Sequence, residues 1–247
     1  MKAQQRYISD ELTHFAGRDK QTHHEQYEVL SLILKSKKLV CKSIPHDIPG
    51  IIRHSNGKIS ENNLYTFNMV CFCDIPLGDI GIHIRKYSLF GLSFKKSLIA
   101  SKGGSPIYYI PKKAIVNQQV HKRNKSFRTK AEYFDEMHRL YMDYLEKLNK
   151  PKNAHESNEN VIQNCILFQD LFAFFSLHIF GHIQFFDHTL KDDDPENFYF
   201  EREWRVLWSL KFESEDVQRI LLPKAYAKKL RRDFPEYYSQ ITFTNQS

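Results

Sequence analysis

In "QTHHEQYEVLSLILKSKKL", Tyr27, Leu30, Ile33 and Leu34 recur three and four residues apart, which predicts an amphipathic helix. Lys35, Lys37 and Lys38 suit its C-terminal end, where the helix dipole favours cations. A second helix is predicted over "KAEYFDEMHRLYMDYLEKLNK", with Tyr133, Phe134, Met137, Leu140, Tyr141, Tyr144, Leu145 and Leu148 at the same intervals. The most apolar run is "NVIQNCILFQDLFAFFSLHIFGHIQFF", but Gln163, Asn164, Gln169, Asp170 and His178 interrupt it more densely than a bilayer core would tolerate. It reads as a buried helix over about 160–182, and no membrane span is expected. Strands are predicted in "NMVCFCDIPL", "YSLFGLSF" and "SPIYYI", the last two separated by a short helix in "KKSLIASKGG" that glycines end. "VQRILLPKAYAKKLRRDFPEYYSQITF" reads as strand, helix, strand. Residues 44–63, rich in Pro, Gly, Asn and Ser, read as an irregular excursion, and "KPKNAHESNEN" as a polar linker. No internal repeat is visible. Mixed short strands with flanking helices predict an α+β fold, a single domain over 1–247 with a helical insertion at about 128–185.

Composition narrows the classes. At 247 residues, 41% hydrophobic and 14% aromatic, the chain can fill a substantial core and is globular. Lys plus Arg exceeds Asp plus Glu by 36 to 29, a net charge of +7 that suits phosphate-rich partners as well as an ordinary basic protein. Four cysteines make no disulfide framework, and "MKAQQRYISDELTHF" lacks the apolar stretch of a secretory signal, so a reducing cytoplasm is expected.

The run "NFYFEREWRVLW" sets Glu201 and Glu203 among aromatic and branched residues. Read as one strand, it turns Tyr199, Glu201, Glu203, Arg205 and Leu207 to one face and Phe200, Arg202, Trp204, Val206 and Trp208 to the other. Two neighbouring carboxylates on a half-buried face repel and lose hydration unless Arg205 or a ligand offsets the cost. A strand edge laced with Glu–Arg pairs accounts for the same residues. A pair two residues apart on one strand cannot flank a glycosidic bond from both sides as hydrolase carboxylates do.

That arrangement resembles the ADP-ribosyltransferases, and other segments agree in order. "ELTHFAGRDKQTHHEQYEVLSLILKSKKL" resembles their first motif, "VCFCDIPL" through "HIRKYSLFGLSF" the second, and "EREW" the third. The resemblance implies a His–Tyr–Glu set and NAD as substrate. His14 would contact the adenosine-side ribose, and the backbone around His14 and Phe15 would grip the nicotinamide amide. Tyr87, or next His83, would pack on the nicotinamide ring. Glu203 would stabilise the oxocarbenium state, and Glu201 would orient or deprotonate the acceptor. More closely, "YISDELTHFAGR", "VCFCDIPL", "KYSLFGLSF" and "FEREWRV" look like the AbiGi family of abortive phage-resistance proteins, over about 6 to 225. That resemblance implies a phage-defence or toxin–antitoxin setting with a cognate toxin or antitoxin partner. The similarity to DarT-like transferases rests on motif order. A non-catalytic antitoxin or sensor that binds protein or nucleic acid is the alternative.

Arg18 to His23 fits the R-x4-H dyad of some helical ribonucleases, but Gly17 precedes it and the strand content is high. Arg18 is better placed at the mouth of a nucleotide pocket, where its fork suits a pyrophosphate. Cys71 and Cys73 have no second ligand pair at zinc spacing, so no metal is expected. No P-loop or Rossmann glycine motif is present. The basic stretches "YAKKLRRDF" and "VHKRNKSFRTK" are solvated faces or a phosphate-tracking groove. The acidic "KDDDPEN" ahead of the glutamates favours a basic protein acceptor and the net charge a nucleic acid, so both remain candidates.

Overall fold

A computed structural model describes residues 9–41, 51–54, 57–116, 129–149, 158–191, 194 and 196–244. The fold is α+β, and the chain divides into two compact units, one of residues 1–42, 68–107 and 199–247, the other of 43–67 and 108–198. Elements are numbered along the whole chain.

The first unit is built on a seven-stranded sheet. Its strands are β1 (Glu11–Ala16), β5 (Met69–Cys73), β6 (Phe90–Lys95), β7 (Ser105–Pro106), β10 (Glu203–Leu207), β12 (Val217–Leu222) and β13 (Gln240–Phe243), in the order β13-β12-β6-β1-β5-β10-β7. All neighbours are antiparallel except β12 and β13, which run parallel and are joined through α6 (Ala227–Asp233), the predicted strand–helix–strand. One face of the sheet carries Leu12, Ala16, Val70, Phe72, Phe90, Leu92, Phe94, Val206 and Ile220 into the core. Side chains of α1 (His23–Ser36) join that core through Tyr27, Leu30 and Leu34, as its periodicity predicts. Thr22 and Glu25 form a capping box at its start, and Lys37 ends it in the left-handed region at φ 50°. Two short helices, α2 (Gly81–Lys86) and α3 (Lys96–Ser101), flank β6, and the small ladder of β2 (Lys38–Leu39) with β11 (Leu210–Lys211) closes the unit.

In the second unit β3 (Ile51–Arg53) pairs with β4 (Tyr65–Phe67), and β8 (Tyr108–Pro111) runs parallel to β9 (Ile183–Phe186). The segment expected to be an irregular excursion thus contains a strand, because Tyr65–Phe67 offers it a ladder. The "SPIYYI" strand is two strands, β7 and β8, one in each unit. The helices α4 (Lys130–Asn149) and α5 (Asn158–Phe174), the core of the expected insertion, belong to this unit. Ile59, Leu64, Tyr65, Ile110, Leu145, Phe172 and Phe185 form its core. Both hydrogen-bonding ends of the Asn62 amide pair with the Phe185 backbone at 2.8 Å, which ties the turn at 59–62 to β9. Tyr65 Oη lies 2.6 Å from His138 Nε2 in the same core.

The aromatic segment departs from its expected burial. A π-helical turn, Phe175–Ile179, follows α5, and Ile166, Leu167, Phe174 and Ile179 lie exposed while Phe172 is buried. Among the described residues α5 packs against α4 and leaves these positions uncovered. Cys165–His182 is long and apolar enough to cross a membrane by length and composition, with 17% of it buried. Most of the linker at 150–160 and of the basic stretch at 120–130, and part of the acidic 191–197, lie outside the described residues.

Candidate functional site

The face of the sheet opposite the core carries polar groups. Thr13 is paired with Cys73 and Cys73 with Glu203, so the three share this face across β1, β5 and β10. Phe15 and Arg205 follow at two-residue spacing on the same side. Gly17, at φ +77°, turns the chain out of β1 toward α1, and a Cβ there would lie 2.9 Å from the Gln26 backbone. Arg18 stands at that turn, exposed, with its guanidinium 4.8 Å from the centre of the Tyr87 ring. His23 begins α1, so Arg18 and His23 do not share a helix.

Glu201 and Glu203 are both 7% exposed, but they reach this face by different routes. The expected continuous strand is broken: Phe198–Glu201 is a turn of 3-10 helix, and Arg202 adopts φ 45° before β10 begins at Glu203. Strand alternation therefore does not orient Glu201. Its Oε1 accepts from the Tyr87 hydroxyl and from Lys86 Nζ, the latter at 2.8 Å. Glu203 is gripped at both oxygens by Arg205, whose Nε donates to Oε1 at 2.8 Å and Nη2 to Oε2 at 2.9 Å. The partner expected for the pair belongs to Glu203, while Lys86 serves Glu201 from a separation of 115 residues that no local pattern could signal.

Cys73 pairs with Glu203 across the ladder and lies within reach of both carboxylate charges. Burial first, then the charges of Glu201 and Glu203, push its thiol well above the ordinary range. Burial, followed by the Glu201 charge and hydrogen bond, likewise pushes the Tyr87 phenol far up. Tyr87 caps the C-terminal end of α2 and does not open a strand. Its ring stacks on Phe15 at 5.6 Å, Phe15 stacks on His83 at 6.2 Å, and Phe200 meets His83 edge-on at 4.9 Å. His83 is 2% exposed, and neither ring nitrogen has a hydrogen-bond partner among the described residues. Burial, and then the neighbouring Lys86 charge, lower its pKa to about 4, so the ring is neutral at pH 7.

Phe15, Arg18, His83, Tyr87 and Glu201 are thereby brought together, with Cys73 linking them to Glu203. His14 is not among them. It is paired with Leu92 on the core face, its ring is 5.8 Å from Phe72, and its Nδ1 donates to the Cys71 carbonyl at 2.9 Å. The residues that sequence reasoning passed over are Lys86, Phe200 and the pair of Asp74 with Lys96, 2.8 Å apart beside Trp204. Among the described residues no group of three or more His, Cys, Asp or Glu could hold a metal ion.

No curated protein and no solved structure matches the chain. One family model does, described as "Putative abortive phage resistance protein AbiGi, antitoxin", over residues 53–239. The match begins later and ends further on than the resemblance read from the sequence: it includes His83, Tyr87, Glu201 and Glu203 and leaves out His14, Phe15 and Arg18. Covering well over half of the 247 residues, it shows that the chain belongs to the AbiGi family of abortive phage-resistance systems, a family described as antitoxin.

Proposed function

We propose that the carboxylate-bearing face of the sheet unit binds NAD and transfers ADP-ribose to a macromolecular acceptor, nucleic acid or protein, as part of an abortive phage-resistance system. The observation that carries this reading is the burial of two carboxylates, Glu201 and Glu203, within reach of one thiol and beside the Tyr87 ring. Buried ion pairs contribute little to stability, because desolvation offsets their attraction, so two on one face suit a functional site better than a scaffold. A carboxylate fixed in place can stabilise positive charge as it develops on a ribose.

In this reading the bond between ribose C1′ and the nicotinamide nitrogen breaks, and its electron pair leaves with nicotinamide. Glu203, oriented by Arg205, stabilises the oxocarbenium-like state and retains lone pairs for the ribose 2′-hydroxyl. The acceptor's nucleophilic atom forms the new bond to C1′, and its proton passes to Glu201. Tyr87 and His83 offer ring faces to the nicotinamide, and the exposed fork of Arg18 suits the pyrophosphate. His14 has a positioning role through the Cys71 carbonyl, since it points away from the carboxylates.

The family description as antitoxin favours a second reading, in which the same face belongs to a non-catalytic protein that binds a cognate toxin or a nucleic acid. Incubating purified wild-type protein and Glu203→Gln with labelled NAD and a cell lysate separates the two. Label carried into the protein or nucleic-acid fraction by wild type alone supports the transferase and identifies the acceptor class. No label from either, together with capture of the cognate toxin that Glu203→Gln leaves unchanged, supports the binder.

A further inference from the structure

The seven-stranded sheet ends differently on its two sides. At one edge β7 is two residues long and includes Pro106, which has no N–H to offer another strand. At the other edge β13 presents Gln240, Ile241, Thr242 and Phe243, with no charge, proline or bulge to discourage pairing. The Thr244 N–H donates to the Leu222 carbonyl at 3.2 Å, so Thr244, and with it Thr242 and Gln240, turn their main-chain groups toward β12. Alternation then directs the N–H and C=O groups of Ile241 and Phe243 outward, where no strand among the described residues pairs with them. The side chains of these two residues share the core face. Ile241, opposite Ile220, packs against the main core, and Phe243, opposite Leu222, is 44% exposed.

We propose that β13 is a dimer edge, completed by a second copy of this chain in antiparallel pairing about a two-fold axis through Thr242. In that register Ile241 of each copy faces Phe243 of the other and exchanges both N–H···O bonds with it, so every outward group finds a partner. On the core face an aromatic ring meets a β-branched side chain on either side of the axis, and the half-exposed Phe243 is covered. On the opposite face the two Thr242 side chains meet on the axis as a non-hydrogen-bonded pair, flanked by Gln240 opposite Thr244. None of these side chains is charged. A second copy brings the matching edge by symmetry, apolar against apolar and threonine against threonine. The pairing uses up the edge, so association stops at the dimer. A contact of this extent belongs to the weak end of specific interfaces, which predicts dissociation at micromolar concentrations.

The test is sedimentation equilibrium of the full chain from low to high micromolar concentration, in wild type, Phe243→Pro, Thr242→Lys and Thr242→Glu, with urea unfolding of each as the control for fold. Phe243→Pro removes an N–H that points outward and leaves the bonds of Thr242 and Thr244 to β12 in place. Thr242→Lys and Thr242→Glu each set like charges against one another on the axis. Wild type should be a mixture of monomer and dimer, and each variant alone should dimerise more weakly by about tenfold or more. Mixing Thr242→Lys with Thr242→Glu should restore the dimer, because the axis then pairs opposite charges. Wild type that stays monomeric throughout, a dimer that all three variants retain, assembly beyond the dimer, or Thr242→Lys and Thr242→Glu that stay apart when mixed would overturn the proposal. A wild-type monomer whose Ile241 and Phe243 amides gain protection from hydrogen exchange only beside a different protein would also overturn it, and would assign the edge to a strand of that protein.

Discussion

The two units treat their costly groups in opposite ways. The sheet unit buries charge, pairing Lys86 with Glu201, Arg205 with Glu203 and Lys96 with Asp74 on or beside a single sheet. The second unit's core holds a hydrogen-bonded tyrosine and histidine, Tyr65 with His138, and it leaves Ile166 and Phe174 about half exposed, at 52% and 51%. Burying ions forfeits hydration, whereas exposing a phenyl ring forfeits only apolar burial. The cost of the first arrangement falls inside the fold, and the cost of the second falls on the surface. Sensitivity to substitution should divide along the same line.

The largest effect is expected at Glu203. Glu203→Ala leaves Arg205, whose side chain is 11% exposed, without the carboxylate that fills its fork, and a loss of about 3–5 kcal/mol in urea unfolding follows. Glu203→Ala/Arg205→Met should recover most of it, and a single-variant loss under about 1 kcal/mol would remove the distinction between the units. Glu203→Gln, which keeps shape, is for this reason the better probe of chemistry.

His83 gives the next effect. Its folded pKa of about 4 lies below the ordinary 6.5, so on acidification the unfolded chain takes up the proton first. Stability from this group is full above pH 6.5, falls by about 3 kcal/mol as pH drops toward 4, and is level below that. Urea midpoints measured across pH 4 to 7 should show the slope in wild type and lose it in His83→Leu. In the second unit, Tyr65→Phe removes the hydroxyl 2.6 Å from His138 and should cost about 1–2 kcal/mol on the same assay. Phe174→Ser, at an exposed position, should change stability by less than about 0.5 kcal/mol. A loss like that of a buried phenylalanine would mean the exposed face of α5 is covered in solution.

Much of this molecule could be read from periodicity. The helix of Tyr27, Leu30 and Leu34, the strands at 69–73 and 90–95, and the closing strand–helix–strand all keep the spacing of their apolar residues, because each packs one face on a single core. The glutamates were visible, but their geometry was not. A backbone at φ 45° is expected of glycine, and nothing in the letters of Glu-Arg-Glu marks Arg202 as left-handed. Lys86 reaches Glu201 only through the folding of the sheet, so its role depends on tertiary structure. His14 shows the reverse: its motif position suggested the site, and its pairing with Leu92 turns it to the core. The α5 segment was apolar enough to suggest burial, but length and composition do not say on how many sides a helix is packed.

The most direct test of the NAD reading is release of nicotinamide from NAD by the purified full chain, wild type beside Glu203→Gln, with urea unfolding of both as the control for fold. The account predicts release by wild type and a rate lower by about a hundredfold or more in a folded Glu203→Gln. Equal rates in the two proteins, or no release by a folded wild type that also fails to bind NAD, would contradict it and leave Glu201 and Glu203 as the charged framework of a protein-binding surface.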